Sequence, residues 1–106
     1  IYLTPDGIKS ELFYNFPQNF YAAETHQDII LKLPEKCVKL AENKMGIQSF
    51  QYKEKIFGVQ FHPEFNNHIL DAYIDMRNDN GIKVLYPKST DISISNNIFN
   101  NFIKLI

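Results

Sequence analysis

From Ile56 to Phe61 nearly every residue is apolar, and the run ends at His62-Pro63-Glu64. A continuous stretch with β-branched and aromatic members fits a strand buried on both faces, as in a mostly parallel sheet. Without partner strands such a segment exposes apolar surface and an unpaired edge. No other stretch of the sequence restricts the fold as much.

The rest of the chain is punctuated by turn residues. Ile1 to Thr4 is apolar and β-prone, and Pro5-Asp6-Gly7 after it is a turn signal. Lys9 to Phe16 reads as a short helical turn stopped by Pro17, Asn19 to Thr25 as a strand leading to His26, and Ile29 to Leu33 as an apolar stretch closed by Pro34. In Cys37 to Glu42, Val38 and Leu40 flank Lys39; in Ser49 to Tyr52, Phe50 and Tyr52 flank Gln51. With Asn43-Lys44-Met45-Gly46 between them, these runs predict an antiparallel pair, and Lys53-Glu54-Lys55 a solvated hairpin tip.

The second half reads as helical. From Asn66 to Asn78, Ile69, Leu70, Tyr73, Ile74 and Met76 fall near one stripe at helical spacing, with Asp71 and Asp75 outside it. Asn80-Gly81 is a natural helix stop. A short strand is expected over Lys83 to Tyr86, before Pro87. Ser93 or Ser95 then caps a last helix in which Ile98, Phe99, Phe102, Ile103 and Ile106 face inward. No repeat, low-complexity tract or flexible linker divides the chain, so 1–106 is read as one unit.

Composition narrows the function classes. A formal charge of −1 gives no electrostatic case for nucleic acid or an anionic membrane. There is no apolar run long enough to span a bilayer and no signal-peptide pattern. The single cysteine, Cys37, excludes an internal disulfide and fits a reducing cytoplasm. No glycine-rich phosphate loop is present. His68 with His62 and Glu64 gives no fixed set of three or four convergent ligands, so no metal or cofactor is expected. The chain begins at Ile1 and not at a methionine, and is read as processed, trimmed or cut from something longer.

The chemistry lies in His62-Pro63-Glu64. In extended backbone, residues i and i+2 project to the same side, and Pro63 fixes a torsion between them. A carboxylate at one imidazole nitrogen holds the tautomer and leaves the other nitrogen free to exchange protons with a nucleophile. Such a pair activates serine or cysteine but cannot attack a carbonyl by itself. His-x-Glu pairs also occur on solvated turns without any chemistry. What distinguishes this one is its setting, at the end of an apolar strand and before a helix.

Gly58-Val59-Gln60-Phe61-His62-Pro63-Glu64 resembles the final signature of the class I glutamine amidotransferases, which use a cysteine–histidine–glutamate triad to release ammonia from glutamine. Leu3-Thr4, Gly7, Leu12-Phe13, Phe16-Pro17, Thr25-His26-Gln27-Asp28, Leu33-Pro34, Leu40-Ala41 and Phe50 look like the stretch preceding that signature in GMP-synthase-like members. The His26-x-Asp28 pair and Phe65 look most like the stand-alone members. The likeness covers roughly residues 1 to 79, and Asn96 to Ile106 resembles a closing helix of the family. It implies an α/β fold: the C-terminal part of a single amidotransferase domain, with antiparallel strands followed by two helices. It also implies that His62 is the triad histidine and Glu64 the triad glutamate, with Gln60 and Phe61 structural.

The family's nucleophile sits in a Gly-x-Cys-x-Gly elbow, which this chain lacks. Cys37 follows Glu35-Lys36 and precedes Val38, with no nearby glycine, and reads as a small buried hydrophobe. The expected partner is therefore an N-terminal half carrying the cysteine, or a second copy of the chain, with glutamine as substrate of the complete domain. His26 and Asp28 are read either as substrate-side residues or as a turn held by Asp28. Two other functions stay open: a non-catalytic interaction module, and part of a γ-glutamyl hydrolase using the same triad on a different amide.

Overall fold

The computed structural model describes residues 1–25, 28–82 and 90–106. His26, Gln27 and the strand expected over Lys83 to Tyr86 lie outside the described residues. The centre of the fold is the anticipated hairpin, with β2 (Cys37–Asn43) antiparallel to β3 (Gly46–Tyr52). Asn43 closes its turn by accepting the Met45 N–H on Oδ1 at 2.9 Å. Gly46 follows with a φ of 122°, a torsion that favours glycine. The register shifts between Lys39 and Ala41 and again between Ala41 and Glu42, so β2 is bulged where it meets β3. β1 (Tyr2–Leu3) pairs antiparallel with β2, and β4 (Ile56–Val59) with β3 across the 53–55 tip. The sheet order is β1-β2-β3-β4. With the helices, this is an α/β fold whose four strands are all antiparallel to their neighbours.

The apolar run from Ile56 to Phe61 does not become a strand covered on both faces. β4 lies at the edge of the sheet, and Ile56 is 53% exposed. Phe57 packs edge-on against Phe102, and Gly58 accommodates the Phe50 ring, which would lie 2.4 Å from a Cβ there. Only Phe61, past the end of the strand, is fully in the core.

Pro5-Asp6-Gly7, expected as a turn, instead opens a short helix, α1 (Pro5–Lys9). The reason is capping. Thr4 Oγ1 accepts the Gly7 N–H at 3.0 Å while donating to the Lys39 carbonyl at 2.7 Å, and Pro5 is preset for the first helical position. A Cβ on Gly7 would meet the Leu40 carbonyl oxygen at 1.9 Å, so glycine lets α1 press onto β2. A 3₁₀ turn at Glu11–Phe13 follows, within the helical stretch expected there. The strand expected over Asn19 to Thr25 is reduced to two single bridges, Tyr2 to Asn19 and Ala23 to His62.

α2 (Asn67–Asp79) is capped by Asn66, whose Oδ1 accepts the Ile69 N–H at 2.7 Å, and it stops at Asn80 and Gly81 as anticipated. Leu70 and Ile74 are buried, whereas Ile69 and Met76 face solvent. α3 (Asn97–Leu105) differs more from expectation. Ile98 and Asn101 are buried and Phe102 and Leu105 pack on the core, but Phe99, Ile103 and Ile106 are exposed. The apolar residues of this helix span more than one face, and the buried Asn101 decides which face turns in. Its Nδ2 donates to the Leu12 and Tyr14 carbonyls at 2.9 and 3.0 Å, fixing α3 against the 3₁₀ turn. Neither serine caps α3 through its side chain; Ser95 Oγ donates back to the Ile92 carbonyl at 2.8 Å.

The main core gathers Leu3, Leu12, Phe13, Phe20, Leu40, Phe61 and Ile98, and a smaller cluster of Ala23, Leu70, Ile74 and Ile92 lies beneath Phe65. No helix among the described residues is long and apolar enough to cross a membrane.

Candidate active site

Past Val59 the backbone leaves the sheet in steps, each anchored. The Gln60 N–H bonds the Gln48 carbonyl at 2.8 Å, the Phe61 ring sits edge-on to Phe20, and the His62 N–H bonds the Ala23 carbonyl at 2.7 Å. His62 is thus carried from the buried Phe61 to the surface, and its side chain is 33% exposed. Pro63 is buried, Glu64 lies on the outer side of the turn, and the Phe65 N–H closes the turn onto the His62 carbonyl at 3.2 Å.

The i, i+2 geometry brings the two side chains together as the sequence implied. His62 Nδ1 lies 2.5 Å from Glu64 Oε1. Burial pushes the Glu64 carboxyl upward, but the His62 hydrogen bond, a backbone N–H and the imidazole charge together hold it below its ordinary value. An ionised carboxylate can only accept, so in this bond the shared proton is donated by Nδ1, which leaves Nε2 turned away from Glu64. The Phe65 ring lies 5.2 Å from the imidazole, centroid to centroid, and Tyr73 backs Phe65 at 5.9 Å. The Tyr73 hydroxyl is hydrogen-bonded to Thr25 Oγ1 at 2.5 Å, so Tyr73 supports the turn from α2.

The remaining candidates fall elsewhere. Cys37, at the start of β2, is level with Tyr52, which in turn is level with Ile56. The rise of β4 puts roughly 10 Å between that level and Val59, and His62 lies further on in the chain. Cys37 and His62 are therefore at opposite ends of the sheet. His68 is exposed on the first turn of α2, and no three His, Cys, Asp or Glu side chains converge as a metal site among the described residues. His26 is outside the described residues; Asp28 is exposed, and its carbonyl accepts Gln60 Nε2 at 3.1 Å.

One residue beside the pair carried no signal in the sequence. Asn96 Nδ2 donates to the carbonyls of Pro63 and Phe65, at 2.5 and 2.9 Å. It comes from 31 to 33 residues further along, a separation that no local pattern encodes.

Comparison with known proteins places this turn in context. The chain matches the family described as glutamine amidotransferase class-I over residues 4–75, a span containing both His62 and Glu64. A glutamine-hydrolyzing GMP synthase subunit of Methanococcus vannielii is 36% identical over 61 residues, which cover 56% of this chain and 32% of that protein. Gamma-glutamyl peptidase 5 of Arabidopsis thaliana is 32% identical over 78 residues, 71% of this chain and 31% of that protein. The chain therefore spans about a third of the length of these relatives. The crystal structure of SMU.1228c shares the fold with a TM-score of 0.71 at 21% identity, over 97% of this chain and 48% of that one. From the match over residues 4–75, the chain belongs to the class I glutamine amidotransferase family.

Proposed function

We propose that this chain is the C-terminal part of a single amidotransferase domain and supplies the acid–base pair of a Cys–His–Glu triad that hydrolyses glutamine to glutamate and ammonia. The observation that supports this most is the hydrogen-bonded His62–Glu64 pair, within the family-matched span and on a turn anchored by three other segments. In this reading Glu64 holds the Nδ1–H, and Nε2 takes the proton of a cysteine thiol supplied by a segment outside these residues. The thiolate attacks the amide carbon, the imidazolium returns a proton to the departing ammonia, and water clears the thioester. Glu64 orients the ring and stabilises its charged form through both halves of the cycle.

Cys37 does not serve as the nucleophile, because the sheet separates it from His62. The 106-residue chain alone is accordingly expected to be inactive. The test is a chimera in which these residues replace the matching region of the Methanococcus vannielii protein, assayed for ammonia release from glutamine. A folded chimera should be active, and His62→Ala should lower its rate by roughly 10²- to 10⁴-fold. The chain alone should release nothing above background. Brisk release by the isolated chain, abolished by His62→Ala, would overturn the reading; a folded but silent chimera would favour a non-catalytic interaction module.

The match to gamma-glutamyl peptidase 5, which covers more of this chain than the GMP synthase match does, supports a second reading. The same triad would then cut γ-glutamyl amides. Rates on γ-glutamyl dipeptides and on free glutamine, measured on the same chimera, separate the two substrates.

A further inference from the structure

We propose that Asn96 is a positioning residue for the His62–Glu64 pair: its carboxamide grips the backbone on both sides of Glu64 and sets the direction of the carboxylate. This rests on the reading of His62 and Glu64 as the acid–base pair.

The two carbonyls that Asn96 Nδ2 reaches, those of Pro63 and Phe65, flank Glu64 directly. Holding both fixes the peptide plane that enters Glu64 and the one that leaves Phe65, which brackets the Glu64 backbone and with it the path of its side chain toward Nδ1. The Glu64 side chain is 55% exposed and has little packing to hold it in place. The turn's own closing bond, Phe65 N–H to the His62 carbonyl, is long at 3.2 Å. The chemistry of the brace is specific: an asparagine amide offers two N–H donors on a short stem, whereas aspartate offers none and serine one.

The brace is itself anchored. Asn96 ends a 3₁₀ turn, Ser93–Asn96, in which the fully buried Ser95 donates to the Ile92 carbonyl through both N–H and Oγ. Ile92 is also fully buried, and its N–H donates to Asn67 Oδ1 at 2.8 Å on the first residue of α2. Asn96 therefore reaches the turn from a segment tied to α2 and to the smaller core cluster. Asn101 provides an internal control. It also gives two Nδ2 hydrogen bonds to backbone carbonyls, but those belong to Leu12 and Tyr14, away from the pair.

The test uses the ¹³C,¹⁵N-labelled chain and follows the imidazole nitrogens and the Glu64 carboxyl carbon by NMR across pH, with His62→Ala assigning the His62 signals. In the wild type, His62 should be the Nδ1–H tautomer and Glu64 should titrate below its ordinary value of 4.5. Asn96→Leu, which keeps the shape and removes both donors, should lower the ratio of Nδ1–H to Nε2–H tautomer by roughly tenfold and move the Glu64 titration back up. Asn101→Leu should lower the unfolding midpoint and leave both signals in place. Should Asn96→Leu fail to fold, Asn96→Ser, with one donor left, should give an intermediate shift of both.

A folded Asn96 variant with wild-type signals would overturn the proposal, as would Asn101→Leu moving them equally. If the wild type lacks the Nδ1–H tautomer bonded to Glu64, the pair itself fails and Asn96 with it. If the wild type shows it and Asn96→Leu does not change it, only the positioning role is lost.

Discussion

At the scale of single residues, the His62–Glu64 contact connects stability to acidity. The Glu64 carboxyl is held below its ordinary value of 4.5 in the folded chain, so folding favours its ionised form. That contribution is complete above the ordinary value and is lost as the pH falls through the lowered one. Glu64→Gln should therefore be less stable than the wild type at neutral pH, and their denaturation curves should converge in acid. The half-exposed position of Glu64 lets solvent screen the pair, which limits the difference to about 1 kcal/mol or less. A gap between the two midpoints that persisted at low pH would contradict this account. The contact was legible in the sequence because it spans only two residues and one proline, so local torsions decide it. The brace at Asn96 was not, because a bond across more than thirty residues depends on how distant segments pack.

At the scale of elements, what the sequence revealed depended on whether a segment's pattern pointed to one partner face or several. The β2–β3 hairpin was legible because its turn residues and alternating strands agree on one antiparallel pairing, although the bulge in β2 was not. The Pro5-Asp6-Gly7 stretch was not, because the cap on Thr4 reads equally well before a turn or a helix. Only the Thr4 hydroxyl's second bond, to Lys39, commits it to α1. The docking of α1 provides a sharp test. Gly7→Ala would place a methyl 1.9 Å from a backbone oxygen that cannot swing aside, so the helix must lift off β2. The expected loss is about 3 kcal/mol, at the upper end for overpacking, read as a lower midpoint in urea. Unchanged stability would mean that α1 does not sit on β2 as closely as the structure has it.

At the scale of the whole molecule, two features among the described residues leave surface for a partner. Phe99, Ile103 and Ile106 lie at i, i+4 and i+7 on the outer face of α3, 48%, 64% and 71% exposed. The outer edge of β4 has no partner strand among the described residues. Both favour association. The chain should self-associate as its concentration rises, seen by light scattering, and Ile103→Lys should shift it toward monomer with an unchanged far-ultraviolet spectrum. A wild type that stays monomeric at high concentration would show that these surfaces are benign.

The features made by neighbours along the chain were already settled by residue order: the hairpin, the stop of α2, and a histidine and carboxylate turned to the same side across one proline. Residue order also carried the family signature, a string of local choices. It took the folded chain to settle which face of α3 turns inward, that the Ile56 to Phe61 run begins as an edge strand, that Cys37 lies at the far end of the sheet from His62, and that Asn96 grips the turn holding Glu64. The division follows from range, since torsions and short hydrogen-bonded turns are fixed by adjacent residues. The choice among several apolar faces depends on which distant surfaces they meet, and on where buried polar groups such as Asn101 find their carbonyls.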